Sequence, residues 1–365
     1  MDCWEKMGMF AGMEGERTYR KTGMEGELTF RKTRIAPTPS GFLHLGNVLS
    51  FVRTVGMARD KGAKILLRID DMDRVRVETE YVQDIFDVLN FLELPWEEGP
   101  GDVKEFEREW SQAHRMGMYR DALEELKEKG AVFACSCSRA KVMRDSPEGV
   151  YAGTCRDKGL SFDSGDVSWR LRTGEEEVDI RMVSGGSVGA GLPEGGVGPG
   201  VSERLDRVLG PGVSEGLDRV LGRGVSEGFV RAKVPAEMKD FVVRKRDGFP
   251  AYQLSSVVDD LFFGVDLVVR GEDLWASTVA QHYLAGKLGR EFGEIGFYHH
   301  ALLSAEGGRK LSKSAGDTSI QYLRKQGWKK KDVYTMIAGM MGVVGEPTDW
   351  EELWRLMGAG RNGKG

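Results

Sequence analysis

From residue 30 onward, short continuous apolar runs exchange with apolar positions spaced three to four residues apart, as strands alternating with helices require. FRKTRIA (30–36) and KILLRID (64–70) read as strands. Between them Val48, Phe51, Val52 and Val55 share one helical face that stops near Gly62. Further helices are predicted around 79–92, where Val82, Ile85, Phe86 and Leu89 recur, and around 115–129, with Tyr119, Ala122, Leu123 and Leu126. VFACSC (132–137), VSWRLRT (167–173), DLVVRG (266–271) and FYHHALL (297–303) read as strands, with helices near 252–261 and 276–288. Asp247-Gly248 marks a hairpin turn. Two short helices, near 330–341 and 348–357, are predicted toward the C-terminus. This order predicts an α/β fold with a doubly wound, Rossmann-like parallel sheet, interrupted by insertions between its halves.

Two stretches stand outside that pattern. GMEGERTYRKT (12–22) is followed at once by GMEGELTFRKT (23–33), and GVSERLDRVLGP, GVSEGLDRVLGR and GVSEGF run in tandem from residue 200. These units are shorter than the repeats of stacked modules. The region 184–228 is rich in Gly, Pro and Ser, with too little apolar surface to order itself, so a disordered insertion is expected over 184–231. A short LDRVL turn docking on a partner is the alternative. The expected organisation is an N-terminal extension (1–29), a first catalytic half (30–130), a cysteine-bearing insertion (131–183), the repeat insertion (184–231), a second half (232–305) and a C-terminal part (306–365).

Composition narrows the setting. The chain has 365 residues, 40% of them hydrophobic and 30% charged, enough for a sizeable core. No apolar run is long enough to span a bilayer and no signal-peptide pattern opens the chain, so a cytoplasmic protein without a membrane partner is expected. A net charge of −5 gives no overall attraction to nucleic acid, which leaves RNA contacts to local basic faces among 52 Lys and Arg.

The chemistry begins at the first strand–helix turn, Pro37-Thr38-Pro39-Ser40-Gly41-Phe42-Leu43-His44-Leu45-Gly46-Asn47. A helix starting here offers free N–H groups to an anion, Gly41 and Gly46 let a ligand approach, and His44 can donate to phosphate. Taken alone, it is equally an ordinary turn with a capping His. A second basic element, Gly308-Arg309-Lys310-Leu311-Ser312-Lys313-Ser314, follows about 265 residues later. Arg34-Ile35-Ala36-Pro37-Thr38-Pro39-Ser40-Gly41-Phe42-Leu43-His44-Leu45-Gly46 resembles the HIGH signature of the glutamyl branch of class I aminoacyl-tRNA synthetases, departing from it mildly at the last position, Asn47. Gly308-Arg309-Lys310-Leu311-Ser312-Lys313-Ser314 resembles that family's KMSKS loop. The resemblance covers roughly 30–180 and 232–320.

It implies that His44, Lys310 and Lys313 are catalytic, and that Pro39, Ser40, Gly41, His44, Gly46, Asn47 and Lys313 hold ATP, which arrives with Mg2+. It also implies that Arg34, Ile35, Ala36, Pro37, Thr38, Asp70, Tyr252 and Arg270 line a site for L-glutamate. An arginine fork suits a carboxylate; the alternative for Arg270 is a structural ion pair with Glu272 or Asp273. Arg68-Ile69-Asp70-Asp71-Met72-Asp73 departs from the family's Arg-Ile-Glu-Asp-x-Asp, since Asp70 is one methylene shorter than the family Glu.

Cys135, Cys137 and Cys155 fall within 21 residues, close enough for three thiolates to meet on one Zn2+. No His lies between 115 and 281 to complete the set. Glu148, Asp157 or water are open choices for the fourth ligand, and free cysteines are the plain alternative. The resemblance to the short glutamyl-Q tRNA(Asp) synthetases points to Tyr151, in a structural zinc-binding insertion that braces the part meeting RNA.

Full glutamyl-tRNA synthetases carry a helical anticodon-binding half after the KMSKS loop, whereas about 50 residues follow Ser314 here. The resemblance therefore implies activation of glutamate and its transfer to the queuosine base of tRNA(Asp), by a monomer. A truncated glutamyl-tRNA synthetase charging the tRNA 3′ end and an inactive synthetase-like binding protein are the alternatives.

Overall fold

The computed structural model describes residues 29–146, 148–183, 227–303 and 319–359. Lys310, Lys313 and the tandem repeats lie outside the described residues, apart from the last residues of each repeat set, 29–33 and 227–229.

Strand β1 (Lys32–Ile35) leads through the turn into α1 (Leu45–Lys61), which ends at Gly62 in the left-handed conformation. Strand β2 (Lys64–Leu67) pairs with β1 in parallel, residue 32 opposite 64, which the intervening helix makes possible by carrying the chain back to the same end of the sheet. Helix α2 (Thr79–Phe91) follows. A π-helical stretch (Phe106–Trp110) and a 3-10 turn (Gln112–Arg115) then lead into α3 (Met116–Glu128).

Next come β3 (Val132–Cys135), α4 (Arg139–Asp145) and β4 (Ser168–Leu171), with β3 and β4 antiparallel. Strand β5 (Glu177–Val183) pairs antiparallel with β6 (Glu227–Lys233) in unbroken register from 177↔233 to 183↔227. Strand β7 (Val242–Arg244) completes the sheet of β3 and β4, and the chain turns back through Gly248 to a single bridge at Pro250. Helix α5 (Tyr252–Phe262), β8 (Leu267–Gly271), α6 (Trp275–Leu288) and β9 (Gly296–His300) form the second half. Three helices close the chain: α7 (Ile320–Lys325), α8 (Lys330–Met340) and α9 (Trp350–Ala359).

The fold is α/β with mixed sheets. Parallel pairs join β1 to β2, β8 to β9 and β5 to β9, and β6 adds an antiparallel edge. This differs from the expected organisation in two places. Strand β5 belongs to the sheet of β8 and β9, not to the cysteine-bearing insertion, because its Arg181 and Met182 pair with Gly296 and Phe297. Residues 227–231, expected to be disordered, run within β6: buried Val230 and Ala232 alternate with exposed Phe229, the period of a half-buried strand.

Two large apolar clusters make the core, and a third, small one gathers Phe133 and Tyr151 with the three buried cysteines. Of the large ones, one surrounds α1, with side chains from β1, β2, α2, α8 and α9; the other joins α3, α5 and α6 to β4, β5 and β8. Among the described residues, no helix is long and apolar enough to cross a membrane.

Candidate active site

The turn after β1 is built around Leu43 and His44. Leu43 donates its N–H to Asp84 Oδ2 of α2 (2.8 Å) and accepts from Ile320 N on its carbonyl (2.8 Å). His44 forms an antiparallel bridge with Ser319, so the end of the segment that carries Lys310 and Lys313 rejoins the fold beside His44. His44 is also the N-cap of α1: its Nδ1 accepts from Gly46 N (3.1 Å), and Asn47 Oδ1 accepts from His44 N (3.0 Å). The capping role is thus real, and Asn47 serves it. Pro37, Pro39 and Leu43 are buried, while Ala36, Thr38, Ser40, Gly41, His44, Gly46 and Asn47 are half-exposed along the same turn. At Gly46 an added Cβ would lie 2.9 Å from the His44 ring, so only glycine leaves the imidazole its place.

Backbone bonds bring the strand ends together. Arg68 N donates to Ile35 O and Asp70 N to Pro37 O, both at 2.9 Å. Side chains then form a buried chain of charge. Arg34 Nε donates to Asp260 Oδ1 (3.1 Å), Arg68 Nη1 to the same oxygen (2.7 Å), and Arg68 grips Asp70 at 2.7 and 3.0 Å. Burial pushes the Asp70 carboxyl upward, against the pull of Arg68. Donation by Arg68 to both oxygens is the geometry that the ionised form satisfies best. A second network lies behind it: Asp259 accepts from Arg115, Tyr119 and Gln112.

Arg34 Nη1 also reaches the carbonyl of Val269 (3.4 Å), one residue before Arg270. Arg270 is 4% exposed. Its Nη1 donates to Gln281 Oε1 (3.0 Å), its Nη2 to Thr278 Oγ1 (2.5 Å), and its Nε has no partner among the described residues. Burial lowers its pKa to about 10, helped by the charge of Arg34 and opposed by Tyr252 and Asp260. The expected alternative, an ion pair of Arg270 with Glu272 or Asp273, is not among the ion pairs of the described residues. Tyr252 opens α5 and is 41% exposed.

The structure therefore joins Ile35 and Pro37 to the Arg68–Asp70 segment by backbone bonds and links Arg34 to Asp70 by way of Asp260 and Arg68. Arg270 adjoins this network through the neighbouring Val269 carbonyl, and feels the charges of Arg34, Asp260 and Tyr252 without a direct bond to Arg34, Ile35, Pro37 or Asp70. The partners that the sequence reading missed are Arg68, Asp260, Gln281, Thr278 and Asp84. Charged residues set inside apolar runs, as in VVDD, were the available signal.

The cysteines form a separate site. The Sγ atoms of Cys135, Cys137 and Cys155 lie within 4.8 Å of one another, all buried. Cys137 Sγ is 3.6 Å from Cys155 Sγ, near the edge of a tetrahedron whose sulfurs sit about 2.3 Å from zinc. The Tyr151 hydroxyl is 3.4 Å from Cys135 Sγ and accepts from Cys155 N (2.8 Å). Burial raises the Cys137 thiol to about 11. Burial works the same way on Cys155, but hydrogen bonds from Ser136, Cys137 and Cys135 bring it down to about 7. Three sulfurs and a phenol oxygen converging in this way fit a zinc ion.

Comparison with known proteins places this geometry. The pattern of the family described as tRNA synthetases class I (E and Q), catalytic domain, matches residues 31–158 and 226–355. The chain is 33% identical over 328 residues to the glutamyl-Q tRNA(Asp) synthetase of Symbiobacterium thermophilum, covering 86% of this chain and 87% of the relative. It is 30% identical to the protein of that description in Rhodobacter capsulatus, covering 83% and 98%. The crystal structure of a glutamate-tRNA synthetase from Elizabethkingia anophelis shares the fold, with a TM-score of 0.61 at 20% identity over 89% of this chain. The chain spans 65% of that protein's length, just under two thirds.

Proposed function

Since the chain belongs to the class I tRNA synthetases (E and Q), among the glutamyl-Q tRNA(Asp) synthetases, we propose that it activates glutamate with ATP and passes it to the queuosine base of tRNA(Asp). The observation that carries the choice of an acidic amino acid is the charge balance of the buried cluster. Arg34, Arg68 and Arg270 face Asp70 and Asp260, which leaves one positive charge, and it resides at Arg270. A buried unpaired cation is costly, and an incoming side-chain carboxylate removes the imbalance.

In the first step a carboxylate oxygen of glutamate attacks the α-phosphorus of ATP; the bond to the bridging oxygen breaks and pyrophosphate leaves. In the second, a hydroxyl of the queuosine cyclopentenediol attacks the activated carbonyl and AMP departs. The turn from Pro39 to Asn47 positions the triphosphate, with His44 donating to a phosphate oxygen. Lys310 and Lys313 supply charge that grows in importance as the pentavalent phosphorus forms. The pairing of Ser319 with His44 supports that placement, since it returns their segment to the phosphate turn. Mg2+ accompanies ATP and offsets triphosphate charge. Arg270 and Tyr252 hold the side-chain carboxylate, with Arg34, Ile35, Ala36, Pro37 and Thr38 along one wall and Asp70 toward the α-ammonium. Catalysis is then mainly positioning and electrostatics.

Cys135, Cys137, Tyr151 and Cys155 hold a structural Zn2+ in this reading, supported by the convergence of the three sulfurs. Zinc ties β3 to the loop at 151–155. The test of the activation step is ATP–pyrophosphate exchange without RNA, with glutamate, aspartate and glutamine compared. Glutamate alone should drive it; equal exchange with glutamine would contradict the role of Arg270.

A further inference from the structure

Arg270 is surrounded by groups that hold it without neutralising it. Gln281 and Thr278 stand one turn apart on α6, and each takes one terminal nitrogen of the guanidinium. The direction of these bonds is set from behind. His299 Nδ1 lies 3.1 Å from Gly271 O, which can only accept, so Nδ1 carries the proton and Nε2 is an acceptor; the one Thr278 hydroxyl hydrogen is shared between that nitrogen (2.8 Å) and the carbonyl of Leu274 (3.2 Å), both acceptors. The Thr278 oxygen is then left to accept from Arg270. The Gln281 amide is fixed too, because only its oxygen accepts from a guanidinium, and its Nε2 is left buried with no partner among the described residues. Burial, reinforced by the charge of Arg270, lowers His282 and His299 to about 3, so both are neutral. The Phe297 ring lies 5.0 Å from the guanidinium carbon. The nearby carboxylate, Asp260, is committed to Arg34 and Arg68.

We propose that Gln281, with Thr278 behind it, is a specificity-determining residue: its neutral amide fixes the Arg270 fork and keeps the charge free for a ligand carboxylate. A glutamate at 281 would bond the same nitrogen as well or better, yet it would satisfy the cation before substrate arrived. An orphaned amide donor is unfavourable for stability. Its presence beside the arginine fits a position set by substrate choice. This inference rests on the reading of Arg270 as the carboxylate anchor.

The test is steady-state ATP–pyrophosphate exchange by the full chain and its variants, titrated separately with glutamate, glutamine and ATP. Gln281→Glu should raise KM for glutamate about thirtyfold or more, as expected when a buried charge meets a competing partner, and leave KM for ATP unchanged. The preference for glutamate over glutamine should fall about tenfold or more. Gln281→Met, which removes the acceptor and adds no charge, should raise KM for glutamate by about fivefold with kcat little changed. It also carries the test if the Glu variant does not fold. Arg270→Met separates the two claims. If it abolishes glutamate-dependent exchange while both Gln281 variants behave as wild type, the role of Gln281 is wrong and the anchor stands. If Arg270→Met leaves exchange intact, the anchor itself is wrong and the inference falls with it. A parallel rise in KM for ATP would also overturn it, because that marks general damage to the fold.

Discussion

Arg68 holds Asp70 by both carboxylate oxygens, at 2.7 and 3.0 Å, and through its remaining nitrogen reaches Asp260. The shorter side chain at 70 is thereby drawn onto its neighbour two residues back, and the strand ends at Ile35 and Leu67 are locked around it. The acid that departs from the family pattern is therefore structural as well as positional.

Removing its charge should be expensive. Asp70→Asn leaves Arg68 with half its counter-charge in a buried site, and breaking such a pair costs about 3–5 kcal/mol. Urea denaturation should show a midpoint lowered accordingly. An unchanged midpoint would mean that solvent reaches the pair.

Asp84 gives a pH signature. Burial raises its carboxyl to about 6, even though Leu43 N donates to it. An unfolded Asp titrates near ~3.9. The folded state therefore binds the proton more tightly, and this contribution to stability is full below about pH 4 and lost as pH rises through about 6. Asp84→Asn keeps an oxygen for Leu43 N and has no charge to bury. Its melting temperature should exceed that of the wild type at pH 7.5, with the advantage gone at pH 4. A constant difference across that range would show that Asp84 does not titrate as its burial requires.

Helix α9 is seated on α1 through Trp354, whose indole lies over Gly56 and donates to Asp60 Oδ2 (3.1 Å). A Cβ at 56 would overlap that ring, so Gly56→Ala should cost about 1–3 kcal/mol through overpacking. A red-shifted tryptophan emission is expected as the indole is displaced. Wild-type melting and emission would contradict the contact.

For the cysteine site, the purified protein should carry one zinc per chain by elemental analysis. Cys155→Ser should lose most of it. Tyr151→Phe should weaken metal retention against a chelator about tenfold or more. Full retention by that variant would remove Tyr151 from the ligand set.

Most of the scaffold was legible because burial and periodicity coincide in it. Val48, Phe51, Val52 and Val55 do lie inside α1, and VVR at 268–270 does lie in a strand buried on both faces. Strand β6 escaped notice because its alternating Val230 and Ala232 follow directly on Gly- and Ser-rich repeats that dominate the local composition. The π-helical turn at 106–110 has no sequence period of its own; burial of Phe106 and the bonds that Arg115 and His114 make to the carbonyls of Trp110 and Glu107 are tertiary features that hold it. In the site, Arg34, Asp70 and Arg270 could be named in advance, since each stands in a recognisable motif. Asp260, Gln281 and Thr278 could not: their importance lies in which guanidinium they meet across more than one element, a property of three-dimensional pairing.

The central claim is that glutamate, once activated, goes to queuosine. It is tested most directly by incubating the protein with ATP and labelled glutamate, and measuring label on tRNA(Asp) with and without queuosine and on tRNA(Glu). Label on queuosine-bearing tRNA(Asp) alone is the predicted result; label on the 3′ end of tRNA(Glu), or on tRNA(Asp) regardless of queuosine, would contradict it.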